Sequence, residues 1–192
     1  MKKRILTALL CVAVILTCLT ACAGNKASDG NVSNGDIIEE NSAFFSHFTT
    51  ISLDGKEYTE KIFEGNKVTM VNIWGTFCSP CINEMPDLEK LSKDFADKGL
   101  VIVGVVCDTY DYIKEENNAD KIKDAEEIVA QTGVTYTNLL PSESLNKAKL
   151  DRITTLPTTY FLDENGVVLG EYIGSRSYDQ WASIIDNILE IA

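Results

Sequence analysis

The chain is poor in histidine and in positive charge. Its 192 residues include a single histidine, and 17 Lys and Arg stand against 29 Asp and Glu, a formal charge of −12. Nucleic acid and anionic lipid surfaces are held by basic patches, so this balance argues against either as a ligand; solubility is the simplest meaning of the acidity. Zinc is short of ligands too. A Cys-x-x-Cys half-site would need two more, and the chain offers only Cys107 and His47, each without motif spacing. No metal or cofactor is therefore expected. The sequence also lacks internal repeats and any second catalytic domain. Its one long apolar run, residues 5–21, is short for a membrane span and is followed by no basic stop-transfer cluster.

That run has the makings of a signal. Lys2, Lys3 and Arg4 precede it, and Leu19-Thr20-Ala21-Cys22 resembles a bacterial lipobox, in which Cys22 would become the lipidated first residue of the mature chain. Ordinary secretion, with cleavage near Ala21 or Ala23, is the alternative. Loss of the leader takes the formal charge from −12 to −15 and removes Cys11 and Cys18. Residues 23–42 then form a tether of Gly, Asn, Ser and Asp that cannot bury enough surface to offset the entropy of ordering it. The expected organisation is a signal over 1–21, a lipidated cysteine and tether over 22–42, and one globular domain over 43–192.

Within that domain strands and helices alternate. Residues 48–53 and 56–58 flank Asp54-Gly55 as a hairpin. Residues 68–73 read as a strand, and Met85, Leu88, Leu91 and Phe95 recur at helical spacing up to a stop at Gly99. The nearly unbroken apolar run 100–107 suits a strand covered on both faces. Helical segments are predicted over 111–117 and 121–131, a short strand over 136–140 and a short helix over 143–150. Strands 158–162 and 167–173 flank an Asp-Glu-Asn-Gly turn. An amphipathic helix carrying Tyr178, Trp181, Ile185 and Ile188 on one face closes the chain.

The chemistry concentrates in W-G-T-F-C-S-P-C-I-N-E-M-P at 74–86. A C-x-x-C pair after a strand and at the start of a helix is the arrangement of a thioredoxin-like redox motif. Cys78 would sit at the helix N-terminus, where free N–H groups and the helix dipole favour a thiolate. Cys81, one turn on, would be close enough to attack a mixed disulfide at Cys78. Pro80 fits the first turn, where its missing N–H costs nothing. Ser79 has no His/Asp constellation near it in sequence and gives no sign of a serine nucleophile. Cys107 reads as a small buried hydrophobe, His47 as a surface residue, and Trp74 as packing beside the cysteines. Tyr110 and Tyr112 suit either partner recognition or packing.

Taken with T-L-P-T-T-Y-F-L-D-x-x-G at 155–166, the motif resembles the thioredoxin superfamily, and within it the membrane-anchored TlpA/ResA-like thiol–disulfide oxidoreductases. The resemblance covers residues 48–191. It implies an α/β thioredoxin-like fold: a central mixed β-sheet flanked by helices, with an N-terminal β-hairpin and an inserted βα unit at about 110–140. It also implies a redox-active disulfide Cys78–Cys81 in place of any cofactor, a cis bond before Pro157, and a proton-handling role for Glu84. Three positions depart from thioredoxin: Asn72 stands where many thioredoxins have a buried Asp, Phe77 where they have Trp, and Ser-Pro fills the space between the cysteines. With Asn72 unable to titrate, Glu84 is the nearest carboxylate in sequence to Cys81. The implied activity is reduction of disulfides in exported proteins, apocytochrome c or methionine sulfoxide reductase among them, on the outer face of a bacterial cell membrane. The implied electron donor is a CcdA/DsbD-like membrane protein, and a monomer is expected. Two alternatives remain open: a thiol peroxidase of the peroxiredoxin type, whose P-x-x-x-T-x-x-C pattern is missing here, and a non-enzymatic lipoprotein that binds a metal or partner.

Overall fold

A computed structural model describes Phe45 and residues 47–192. The expected leader, lipidated Cys22 and tether lie outside the described residues. Two strands set the centre: β3 (Val68–Trp74), buried at every residue, and β4 (Leu100–Val106), buried at all but one. Both are apolar and largely β-branched, as strands covered on both faces must be. They run parallel, with Trp74 opposite Val106.

Around this pair the sheet has the order β7-β4-β3-β8-β9, with β7 at Asn138–Leu139, β8 at Thr158–Leu162 and β9 at Val168–Ile173. β7 is parallel to β4, whereas β8 is antiparallel to β3 and β9 to β8. The sheet is mixed, and the fold is α/β thioredoxin-like. A hairpin of β1 (Thr49–Ile51) and β2 (Glu57–Thr59) precedes it and is tied to the β7 edge by the bridge between Ser52 and Leu139.

Period-2 alternation divides the core. Met70, Trp74, Ile102 and Phe161 face one side, where they pack with α1 (Ser79–Asp94), with Ala125 of α2 (Ala119–Thr132), and with Trp181 and Ile185 of α4 (Tyr178–Ile191). Val71, Ile73, Val103, Val105, Tyr160 and Leu162 face the other. There they meet Phe45, Phe48, Phe63 and Leu145 of α3 (Glu143–Ala148). Gly104 lies where the sheet has no room: a Cβ there would fall 2.0 Å from Asn138 Oδ1 and 3.2 Å from Trp74 Nε1. The missing side chain lets Trp74 Nε1 donate to Asn138 Oδ1 at 2.9 Å, fixing the indole at the strand end that leads into the motif. Among the described residues no helix is long and apolar enough to cross a membrane.

Several boundaries differ from those predicted. The α-helix that begins at Ser79 ends at Asp94, and Gly99, at φ 90°, closes a following 3-10 turn over Ala96–Lys98 instead. The α3 helix stops at Ala148 before a 3-10 turn. The one segment of the wrong type is 111–117, predicted helical and found as a two-stranded hairpin of β5 (Tyr110–Asp111) and β6 (Glu116–Asn117). Asp111 Oδ1 accepts the N–H groups of Ile113 and Lys114, an Asx turn that competes with helical bonding. Ile113, the apolar residue that would have anchored a helical face, is 95% exposed.

Candidate active site

Cys78 is the N-cap of α1, and its sulfur accepts the N–H of Cys81 at 3.3 Å. The two cysteines form a disulfide, Cα to Cα 5.3 Å. Their exposures differ in the sense the chemistry requires: Cys78 is 6% exposed and Cys81 is 0%. No acidic side chain lies in the first turn of the helix to oppose a thiolate at its positive end. Pro80 occupies that turn, where no N–H is needed.

Cys78 opens onto a groove of about 630 Å³ whose walls include Phe77, Pro80, Leu156, Ile153 and Tyr112. Ser79 lies on the same rim. The Leu156–Pro157 peptide bond is cis, and Leu156 lines the same groove as Cys78. Phe77, next to the reactive cysteine, is 71% exposed, and Tyr112 on the β5–β6 hairpin is 59% exposed. Trp74 is wholly buried in the same core cluster as both cysteines.

Glu84 is buried, only 3% exposed. Its Oε2 accepts the backbone N–H of Arg176 at 3.0 Å and Trp181 Nε1 at 3.2 Å, and its Oε1 accepts Asn72 Nδ2 at 3.1 Å. Burial pushes the carboxyl above the ordinary glutamate value, against the opposing pull of those three donors and the Arg176 charge. Asn72 also donates to Thr159 Oγ1 at 3.1 Å, and its own Oδ1 is buried without a partner. Glu84 and Asn72 thus form one buried polar pair, and Cys81 lies three residues before Glu84 on the same helix.

Cys107 departs from expectation. It is half-buried and lines the groove with Cys78, because β4 ends just before it and the chain turns into the β5–β6 hairpin. Burial and the neighbouring Asp108 charge push its thiol up to about 11, which leaves it protonated and unreactive at neutral pH. His47 is exposed, as expected.

Sequence reasoning missed the part played by Arg176, Trp181 and Thr159, which reach the site from far beyond the motif. It also missed Asp108, Thr76 and Lys121. Asp108 had a usable signal: in two parallel strands that end level, residues two beyond each end face one another, and here those are Thr76 and Asp108.

The AhpC/TSA family matches residues 43–170. The chain belongs to that family. It is 31% identical over 140 residues to the thioredoxin-like protein YneN of Bacillus subtilis, covering 72% of this chain and 75% of that one. To the thiol-disulfide oxidoreductase ResA of Bacillus cereus it is 26% identical over 179 residues, covering 91% and 93%. Its fold matches that of a secreted Mycobacterium tuberculosis disulfide oxidoreductase homologous to E. coli DsbE, with a TM-score of 0.58, 15% identity and 77% and 99% coverage. The described domain is a thioredoxin-superfamily, ResA-like thiol–disulfide oxidoreductase, with Cys78–Cys81 as its redox-active disulfide.

Proposed function

We propose that this AhpC/TSA-family enzyme reduces disulfides of exported proteins while lipid-anchored through Cys22 on the outer face of a bacterial membrane. The observation that carries the reading is the unequal pair at the start of α1: one cysteine lining an open groove, the other wholly buried and three helix residues before a buried carboxyl group. In the dithiol form the Cys78 thiolate attacks a target disulfide. A Cys78–target bond forms and the other target sulfur leaves as a thiolate, which takes a proton from water. Cys81 then gives its proton to Glu84 Oε1, which keeps a lone pair free of the Asn72 bond. The Cys81 thiolate attacks Cys78 Sγ, re-forms the Cys78–Cys81 disulfide and releases the second target thiolate. Two electrons pass to the target, and a membrane dithiol of the CcdA/DsbD type returns them.

Each remaining side chain has a place in this reading. Phe77 and Tyr112 hold the apolar segment around the target cysteine, and the backbone before cis Pro157 aligns it. Ser79 and Pro80 shape the rim, and Trp74 holds the floor. Asn72 serves both states of Glu84: it donates to the carboxylate, and a half-turn of its amide would offer the unpartnered Oδ1 to the protonated acid.

An extracytoplasmic setting is supported by the leader pattern of residues 1–21 and by the secreted relative. The apocytochrome c and methionine sulfoxide reductase classes of substrate, a monomeric state, and the boundaries at 21/22 and 42/43 belong to the same proposal. Cys22→Ala should move the protein from the membrane fraction to the soluble one, while the purified protein keeps its disulfide-reducing rate. A variant that stays in the membrane with an uncleaved N-terminus would show a signal anchor instead. Peroxide consumption exceeding insulin reduction in the same preparation would favour the peroxidase alternative.

A further inference from the structure

The turn that delivers Cys78 to the helix is held from outside the motif. Cys78 N–H donates to Gly75 O at 3.0 Å, closing a four-residue turn in which Thr76 is second. Asp108, just past β4, takes both donors of Thr76: Oδ1 accepts the backbone N–H at 2.9 Å and Oδ2 accepts Thr76 Oγ1–H at 2.6 Å. Lys121 of α2 donates to Thr76 Oγ1 at 3.2 Å and lies 3.8 Å from Asp108 Oδ2. The hydroxyl thereby accepts from the ammonium and donates to the carboxylate, using its one O–H and one of its two lone pairs. The turn has little slack on its other side. A Cβ on Gly75 would sit 3.1 Å from Leu156 Cδ1 and 3.4 Å from Asp108 Oδ1. The Asp108 side chain is only 14% exposed and lines the same groove as Cys78.

We propose that Asp108 is a positioning residue for the attacking cysteine, and that it acts with Lys121 as a pair of opposed charges that set how readily Cys78 ionises. The parallel register of β3 and β4 places the clamp, and α2 of the inserted unit supplies its cation. Asp108 therefore does two things. Its bonds to Thr76 fix the turn that presents Cys78, and its negative charge opposes the thiolate that the helix N-terminus favours. Lys121 offsets that charge. The other titratable groups around Cys78 are Cys81 and Glu84 on its own helix, Cys107 at the end of β4, Tyr112 on the hairpin, and Asp124 and Glu127 on α2 behind Phe77. The segment 153–156 contributes none. Among the described residues, Asp108 and Lys121 are the charged side chains bonded to the turn that carries Cys78, both at Thr76, and Asp108 is the acidic one.

The inference rests on Cys78 being the attacking thiol, and one experiment addresses both. Full-length reduced protein is alkylated with iodoacetamide from pH 5 to 10, and the rate at each cysteine is read by mass mapping. Asp108→Asn keeps an acceptor for the Thr76 N–H and loses the charge, so the Cys78 profile should move to lower pH. Its labelling at pH 6 should rise about threefold to tenfold, within the reach of a nearby like charge at a partly exposed site. Lys121→Met should move the profile the other way and slow labelling about twofold to threefold. Turnover of insulin disulfides should fall about tenfold in Asp108→Ala and be largely restored in Asp108→Asn. Disturbed folding would push both charge variants in the same direction, so opposite shifts identify the electrostatic role. Shifts of one sign, no shifts, or an Asp108→Ala variant with wild-type turnover would overturn the inference while leaving Cys78 as the attacking thiol. Faster labelling of Cys81 than Cys78 would instead overturn the order of attack, and this inference with it.

Discussion

Replacing Cys81 by serine is expected to stop turnover after a single attack and leave the target bound to Cys78. Cys81 is wholly buried, one helical turn from Cys78, and its sulfur is bonded to no residue but Cys78 in the oxidised protein. Without it nothing buried beneath the mixed disulfide can displace the target. Cys107 cannot substitute, because its thiol, pushed up to about 11, is almost entirely protonated at neutral pH. Steady-state reduction of insulin should drop on the order of 10³-fold or more, as it does when a residue that forms or resolves a covalent intermediate is removed. Non-reducing gels should show a covalent adduct in Cys81→Ser and none in Cys78→Ser. A Cys81→Ser variant that still turns over, or an adduct that maps to Cys107, would assign resolution to another group.

The second large effect belongs to Glu84. Glu84→Gln should slow release of the target by roughly 10-fold or more, towards the 10²–10⁴ range of positioned acid–base groups, and leave the first attack unchanged. The substitution fits the site. The new amide can keep its oxygen towards Arg176 and Trp181 and turn its nitrogen towards Asn72, whose amide can flip to accept from it. The buried unpartnered atom of Asn72 then changes from oxygen to nitrogen, and the number of unpartnered groups stays the same. The charge change should also appear in stability. Burial raises the folded-state value of Glu84 above the ordinary 4.5, so its contribution is fully present below about 4.5 and is lost as pH rises through the folded value. Glutamine has no such loss. The urea midpoint of oxidised Glu84→Gln should gain on wild type as pH goes from 4 to 8. Parallel midpoints across that range, with unchanged release kinetics, would make Glu84 a purely structural acceptor.

How much of this was legible in the sequence depends on how local each feature is. Cys78, Pro80, Cys81 and Glu84 share two turns of one helix, so spacing alone puts them together. The two central strands were legible from their unbroken apolar, β-branched runs. Segment 111–117 was misread because an Asx turn at Asp111, and not hydrophobic spacing, decides its path. The partners of Glu84 were beyond reach for another reason. Arg176 N–H and Trp181 Nε1 arrive from the far end of the chain, and only the packing of α4 against α1 brings them to a carboxylate. The same holds for Asn72. Its failure to titrate was visible at once, but its place as the donor to Glu84 depends on β3 lying directly beneath α1. Cys107 was read as buried because it ends an apolar strand, whereas the groove that it lines is walled by Tyr112, Leu150 and residues 153–156.

The direction of electron flow is the central claim, and the reduction potential of the Cys78–Cys81 couple tests it most directly. Equilibrating the full-length protein with graded dithiothreitol and reading the dithiol fraction by alkylation gives that potential. A reductase should lie near thioredoxin, at about −270 mV, where it can deliver electrons to ordinary exported disulfides. A value near that of the strong oxidant DsbA, about −120 mV, would mean that the disulfide is donated rather than regenerated, and would contradict the account.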